Sequence, residues 1–120
     1  MRLALLSILL VADAAPAADR RIPAATPVGE PVTCVPLAQI RETRVRDDRT
    51  IDFIMRGRDR VYRNTLPDRC PGLGFEQRFT YATSQSQLCS VDIITVLYAA
   101  PPMRGASCGL GRFQPVKLAR

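Results

Sequence analysis

Four cysteines constrain this chain more than any other feature. Cys34, Cys70, Cys89 and Cys108 lie 36, 19 and 19 residues apart in a sequence of 120. That spacing contains no C-x-x-C, so neither a zinc knuckle nor a redox-active dithiol is at hand. In an exported chain an even cysteine count reads as disulfides, and four cysteines permit three connectivities.

Met1 and Arg2 precede a ten-residue apolar run, residues 3–12, too short to span a bilayer as a mature helix. Small residues follow, with A-x-A patterns at Ala12-Asp13-Ala14 and Ala15-Pro16-Ala17. Residues 1–18 read as a signal peptide, cleaved near Ala17 or Ala18, and the mature form is expected to be periplasmic or secreted without a transmembrane segment. Residues 19–33 carry Pro23, Pro27 and Pro31 four apart, a spacing that excludes helix and central strand. They are expected as a flexible, proline-rich linker. A β domain over residues 34–116 and a tail over 117–120 complete the expected organisation.

Within the domain the alternation of apolar residues is that of strands. Ile51, Phe53 and Met55 share one face of residues 50–55, and Arg56-Gly57-Arg58-Asp59 supplies a turn into a returning strand over residues 60–64. Residues 43–46 lead in. Phe75, Gln77, Phe79 and Tyr81 mark a half-buried strand, and residues 91–98 are apolar on both faces, as expected of a central strand. Only residues 36–42 look helical. The expected fold is mainly β: a small five-stranded antiparallel meander, curled or barrel-like, with one short helical turn, two disulfides and a C-terminal coil over its open side. In such a meander Cys34 and Cys89 fall at one end of the sheet and Cys70 and Cys108 at the other. Since bonded Cα atoms must lie within ~7 Å, this favours Cys34 with Cys89 and Cys70 with Cys108.

The pattern C34-x5-I40, D48-R-T-I-D-F53, V61-Y-R-N-T-L66, R69-C-P-G-L73, F79-T-Y81, L88-C-S-V-D92 and C108-G-L-G-R-F113 resembles a family of small exported Gram-negative proteins classed as a domain of unknown function. The resemblance covers about two thirds of the chain. It implies a signal-bearing envelope protein with its cysteines paired, and it carries over no catalytic residue.

Chemistry is constrained by what is missing. There is no histidine, which removes the usual neutral-pH base, the Ser-His and Cys-His nucleophile pairs and imidazole metal sites. No enzyme activity, cofactor or metal is expected. The basic residues are 16 arginines and Lys117 against 11 acids, a net charge of +6. Between Arg41 and Arg69, however, nine arginines face six acids, so much of that charge can pair locally. The arginine bias itself reads mainly as composition.

Arg69 and Arg112 flank Cys70 and Cys108, and with Arg104 they are the candidate anion site. Asn64 reads as a side-chain turn to its own backbone. Asp92, placed inside the buried strand, requires an arginine or backbone partner, and a catalytic role for Asp92 or Asp48 is the minor alternative. The loops Pro71-Gly72-Leu73-Gly74 and Cys108-Gly109-Leu110-Gly111 match no phosphate-cradling fingerprint. Tyr62, Phe79, Tyr81 and Phe113 are read as core, and no nucleic acid partner is expected of an exported protein. These residues together imply a non-enzymatic module whose arginine-rich surface binds an anionic envelope component. The alternative is an inhibitor or accessory subunit of an exported enzyme.

Overall fold

The computed structural model describes residues 22–83 and 85–119. The signal segment 1–18 with its cleavage point near Ala17 or Ala18, and Arg120 of the tail, lie outside the described residues. The fold is mainly β and antiparallel. Its strands are β1 (Ala25–Pro27), β2 (Cys34–Pro36), β3 (Ile40–Val45), β4 (Thr50–Met55), β5 (Val61–Thr65), β6 (Phe79–Tyr81), β7 (Gln87–Cys89), β8 (Ile93–Ala99), β9 (Pro102–Gly109) and β10 (Phe113–Leu118). A 3-10 turn occupies Leu37–Gln39, and a helical turn, α1, occupies Leu73–Glu76. The strands form an open five-stranded sheet in the order β1-β10-β5-β4-β3, a three-stranded sheet β6-β8-β9 and a two-stranded ribbon β2-β7.

The meander expected from the alternation survives in β3, β4 and β5, where Phe53 stands between Thr43 and Tyr62. The rest is connected differently. The C-terminal segment, expected as covering coil, supplies β9 and β10, and β10 pairs with β5 on one side and β1 on the other. Pro115 is tolerated there because Phe113 exchanges both its backbone bonds with Val32, so Pro115, two residues on, turns its missing N–H toward the same edge segment and leaves the β5 ladder intact.

The expected linker is likewise part of the sheet. Ala25–Pro27 form an edge strand against residues 116–118, and Val32 bridges Phe113. Prolines bar a central strand but not an edge strand. Lys117 and Leu118 of the expected 117–120 tail also belong to the sheet, in β10 opposite Thr26 and Ala25.

Three local expectations also change. Residues 36–42 give one 3-10 turn, after which Ile40 opens β3. The strand expected to start at Phe75 begins at Phe79. Gly72 and Gln77, both in the left-handed region, bound α1 and leave Phe75 89% exposed. β8 is buried on one face only, through Ile94 and Val96, while β4 is buried at every residue.

The main core joins Ile51, Phe53 and Met55 of β4 and Phe113 of β10 to Ile94 and Val96 of β8, with Val35, Leu66, Leu73 and Leu88 around them. The rings of Phe53 and Phe113 meet edge to face at 5.3 Å, a geometry that adds to their area burial. On the opposite face of the five-stranded sheet, Ile54, Val61 and Val116 form a smaller cluster.

There are two disulfides, Cys34 to Cys89 and Cys70 to Cys108. The strand layout that places them is not the five-strand meander. Cys34 and Cys89 stand opposite each other in the β2-β7 ribbon, and the flanking bond from Ser90 N–H to Thr33 O makes them a non-hydrogen-bonded pair, where opposed Cα atoms come closest. Cys70, buried after β5, reaches Cys108 on β9 and so links the end of one sheet to the other.

Candidate functional site

The carboxylates show which arginines are free to act. Asp52, wholly buried on β4, accepts Arg46 Nε at 2.9 Å and a forked pair of bonds from Arg63, Nε at 2.8 Å and Nη2 at 3.0 Å. Register dictates this, since Arg63 opposes Asp52 on β5 and Arg46 follows on the same face. Arg63 also donates to Pro23 O, fastening the segment before β1. A buried carboxylate without such partners would be costly, so Arg46 and Arg63 are structural.

Asp48 has a similar part. Its Oδ1 accepts Gly74 N–H and its Oδ2 accepts Arg69 Nε, each at 2.8 Å. Burial pushes the carboxyl up, but the Gly74 N–H and the Arg69 guanidinium outweigh it and hold the group below its ordinary value of 3.8. The Pro71-Gly72-Leu73-Gly74 loop therefore turns its Gly74 amide to the protein's own carboxylate. A Cβ on Gly74 would lie 3.0 Å from that Oδ1 and 3.1 Å from the Asp47 backbone, which accounts for the glycine.

Glu42 pairs with Arg44 at 3.0 Å, and Asp92 caps its own turn by accepting Cys89 N–H at 2.7 Å. Asp92 precedes β8 and is half-buried, so its partner is backbone, and the expectation of a place inside a buried strand is corrected. Asn64 is also corrected. It is wholly buried and exchanges two 2.8 Å bonds with Gly111, 47 residues away, rather than turning back on its own backbone. A Cβ on Gly111 would stand 2.2 Å from Thr65 O, so only glycine allows that approach.

Among the described residues, the side chains of Arg58, Arg60, Arg78, Arg104, Arg112 and Lys117 have no hydrogen bond or ion pair. The three anion candidates from the sequence do not converge. Arg69 is held by Asp48, although it remains 74% exposed. Arg104 lies on β9 and lines a cleft of about 420 Å³ whose lining includes neither Arg69 nor Arg112. Arg112 is an exposed residue just before β10.

The concentration of free charge lies elsewhere, in the β4-β5 turn. Residues 56–60 are all exposed, Gly57 and Asp59 adopt the positive φ the turn needs, and Met55 N–H closes it on Arg60 O. Because Val61 opposes Val116, Arg60 and Lys117 are adjacent positions one step further along. Arg56, Arg58, Arg60 and Lys117 thus crowd one end of the five-stranded sheet, beside Asp59 and a cleft of about 520 Å³ lined by Thr26, Asp59, Val61 and Lys117. Among the described residues the Arg56 guanidinium donates only through Nε, to Ala38 O, leaving its outer nitrogens uncommitted. The run Arg-Gly-Arg-Asp-Arg was the available sequence signal, read above solely as a turn.

Compared with protein-family models, curated proteins and solved structures, the chain matches none. Of the aromatic residues weighed above, Phe113 is buried against Phe53, and Phe79 and Tyr62 pack on the core, whereas Tyr81, 36% exposed with its ring 6.4 Å from that of Phe79, departs from the core reading. Two disulfides fit an oxidising compartment. Among the described residues no helix is long and apolar enough to cross a membrane.

Proposed function

We propose that this protein is an exported, non-enzymatic binding module that holds an anionic envelope component at the basic end of its five-stranded sheet. One observation carries the reading. Asp52 and Asp48 engage Arg46, Arg63 and Arg69, whereas Arg58, Arg60 and Lys117 share one end of the sheet with no acid bonded to them among the described residues. Guanidinium forks suit phosphate and carboxylate oxygens. The signal-like start, the two disulfides and the resemblance to small envelope proteins support the compartment in which phosphorylated lipids and acidic polymers are the available anions.

Vesicles of phosphatidylglycerol and of phosphatidylcholine provide the test. The protein should co-sediment with the anionic vesicles only, and the association should vanish near 1 M salt, where the screening length falls to about 3 Å. The double variant Arg58→Glu with Arg60→Glu should lose it, while Arg69→Glu with Arg112→Glu should retain most of it. Salt-independent binding, or unchanged binding by the first variant, would sink the proposal.

A further inference from the structure

Among the described residues six strands stand at sheet edges, and five of them are short or blunted. β1, β2, β6 and β7 have three residues each, and β3 carries Arg41, Glu42 and Arg44 together with a bulge between Ile40 and Glu42. These are the devices by which edges avoid pairing with other chains. β9 differs. It runs for eight residues with a single charge, Arg104, and among the described residues its backbone bonds to no strand but β8.

The solvent face beside this edge carries exposed apolar surface among polar residues. Ile93 is 57% exposed and Leu97 is half-buried on β8, while Thr95 and Ser107 hydrogen-bond to each other across the strands at 2.9 Å. In register, Arg104 stands opposite Leu97, Ser107 opposite Thr95 and Gly109 opposite Ile93. A Cβ built on Gly109 meets nothing within 4 Å. The small residues at 107 and 109 therefore leave the outer flank of Ile93 reachable from the β9 side.

We propose that β9 accepts an extended segment of a partner protein as a fourth strand, with an acidic side chain against Arg104 and an apolar one leaning over Gly109 onto Ile93. Backbone pairing supplies affinity in this mode and alternate side chains supply specificity. Charge complementarity selects the occupant: Arg104 has no partner among the described residues, and a net charge of +6 disfavours a second copy of this chain. The surface is separate from the basic turn and stands or falls independently of it.

The probe is the peptide acetyl-Thr-Glu-Thr-Thr-Thr-Val-Thr-amide, whose Glu and Val share one face when extended and have the same separation as Leu97 and Ile93, the residues opposite Arg104 and Gly109. Binding should slow amide exchange at residues 103–109. Lys in place of the Glu, or N-methylation of alternate amides, should each weaken binding by about tenfold. The Arg104→Glu variant, a surface change outside the core, should reverse the preference toward the Lys peptide, and Arg58→Glu should leave it unchanged. Equal affinity for the Glu and Lys peptides, protection centred on residues 56–60, or self-association without peptide binding would overturn the proposal.

Discussion

β4 and β8 are both apolar strands flanked by two neighbours, yet they end in opposite environments. β4, Thr50–Met55, contains an aspartate and is buried at every position; β8, Ile93–Ala99, contains no charge and leaves Ile93 57% exposed. The composition of a strand therefore does not decide its burial. What lies over its second face does. Over β4 that cover is polar at its edges: the stems of Arg46 and Arg63 converge on Asp52, and Arg63 ties down the segment at Pro23. Arginine stems can shield apolar surface while their heads stay wet. β8 has no such cover among the described residues.

The contrast is broken most directly by truncating one apolar residue on each strand. Phe53→Ala removes a fully buried ring in contact with Phe113 and should cost about 3–5 kcal/mol. Ile93→Ser should shift stability by less than about 0.5 kcal/mol, as for an exposed site. Urea unfolding of both variants checks this, and a comparable loss for Ile93→Ser would mean that β8 is covered after all.

The cover itself is tested by Asp52→Ala. It leaves Arg63 and Arg46 facing each other without their shared acceptor, and their side chains retain only 16% and 13% exposure. Breaking a buried pair costs about 3–5 kcal/mol, and the guanidinium groups' partial access to water places the expected loss at the lower end of that range. The apolar isostere with its cations also removed, Asp52→Leu with Arg46→Met and Arg63→Met, should recover most of it. Thermal or urea unfolding of the two variants gives the comparison.

Much of this was legible in advance, and the misses have physical causes. Alternation at Ile51, Phe53 and Met55 revealed β4, and the even cysteine count in a small chain pointed to disulfides. Alternation says nothing about what covers the second face, so Asp52 could not be seen as the anchor of two arginines. Asn64 and Gly111 are 47 residues apart, and their mutual bonds follow from the β5-β10 pairing, in which Asn64 opposes Phe113. No local rule reports such a contact. The proline-bearing ends failed for a related reason: proline forbids a central ladder but not the side of a strand facing an edge, and that distinction depends on the neighbour. At the candidate site, cysteine proximity directed attention to Arg69, Arg104 and Arg112, whereas a hairpin turn and its neighbour on β10 gathered the unengaged charge.

A smaller loss than those at Phe53 and Asp52 is expected at the clasp between the two regions. Asp48, just before β4, holds Gly74 and Arg69, and its own carbonyl accepts Cys70 N–H; Cys70 in turn is bonded to Cys108 on β9. Its carboxyl titrates below the ordinary value despite burial, because the Gly74 amide and Arg69 favour the charged form. A folded-state value below the unfolded one means stability that is complete above the unfolded value and is lost as pH falls through the folded one. The loss should therefore begin below about pH 4, near the unfolded value, and grow as the pH falls further. Asp48→Asn keeps an oxygen for Gly74 but surrenders the ion pair, and because Arg69 is 74% exposed the cost at neutral pH should be only about 1 kcal/mol. The variant's urea midpoint should fall less steeply with acid than that of the parent. Parallel curves would show that other carboxylates govern the acid limb and that Asp48 does not clasp the two sheets through its charge.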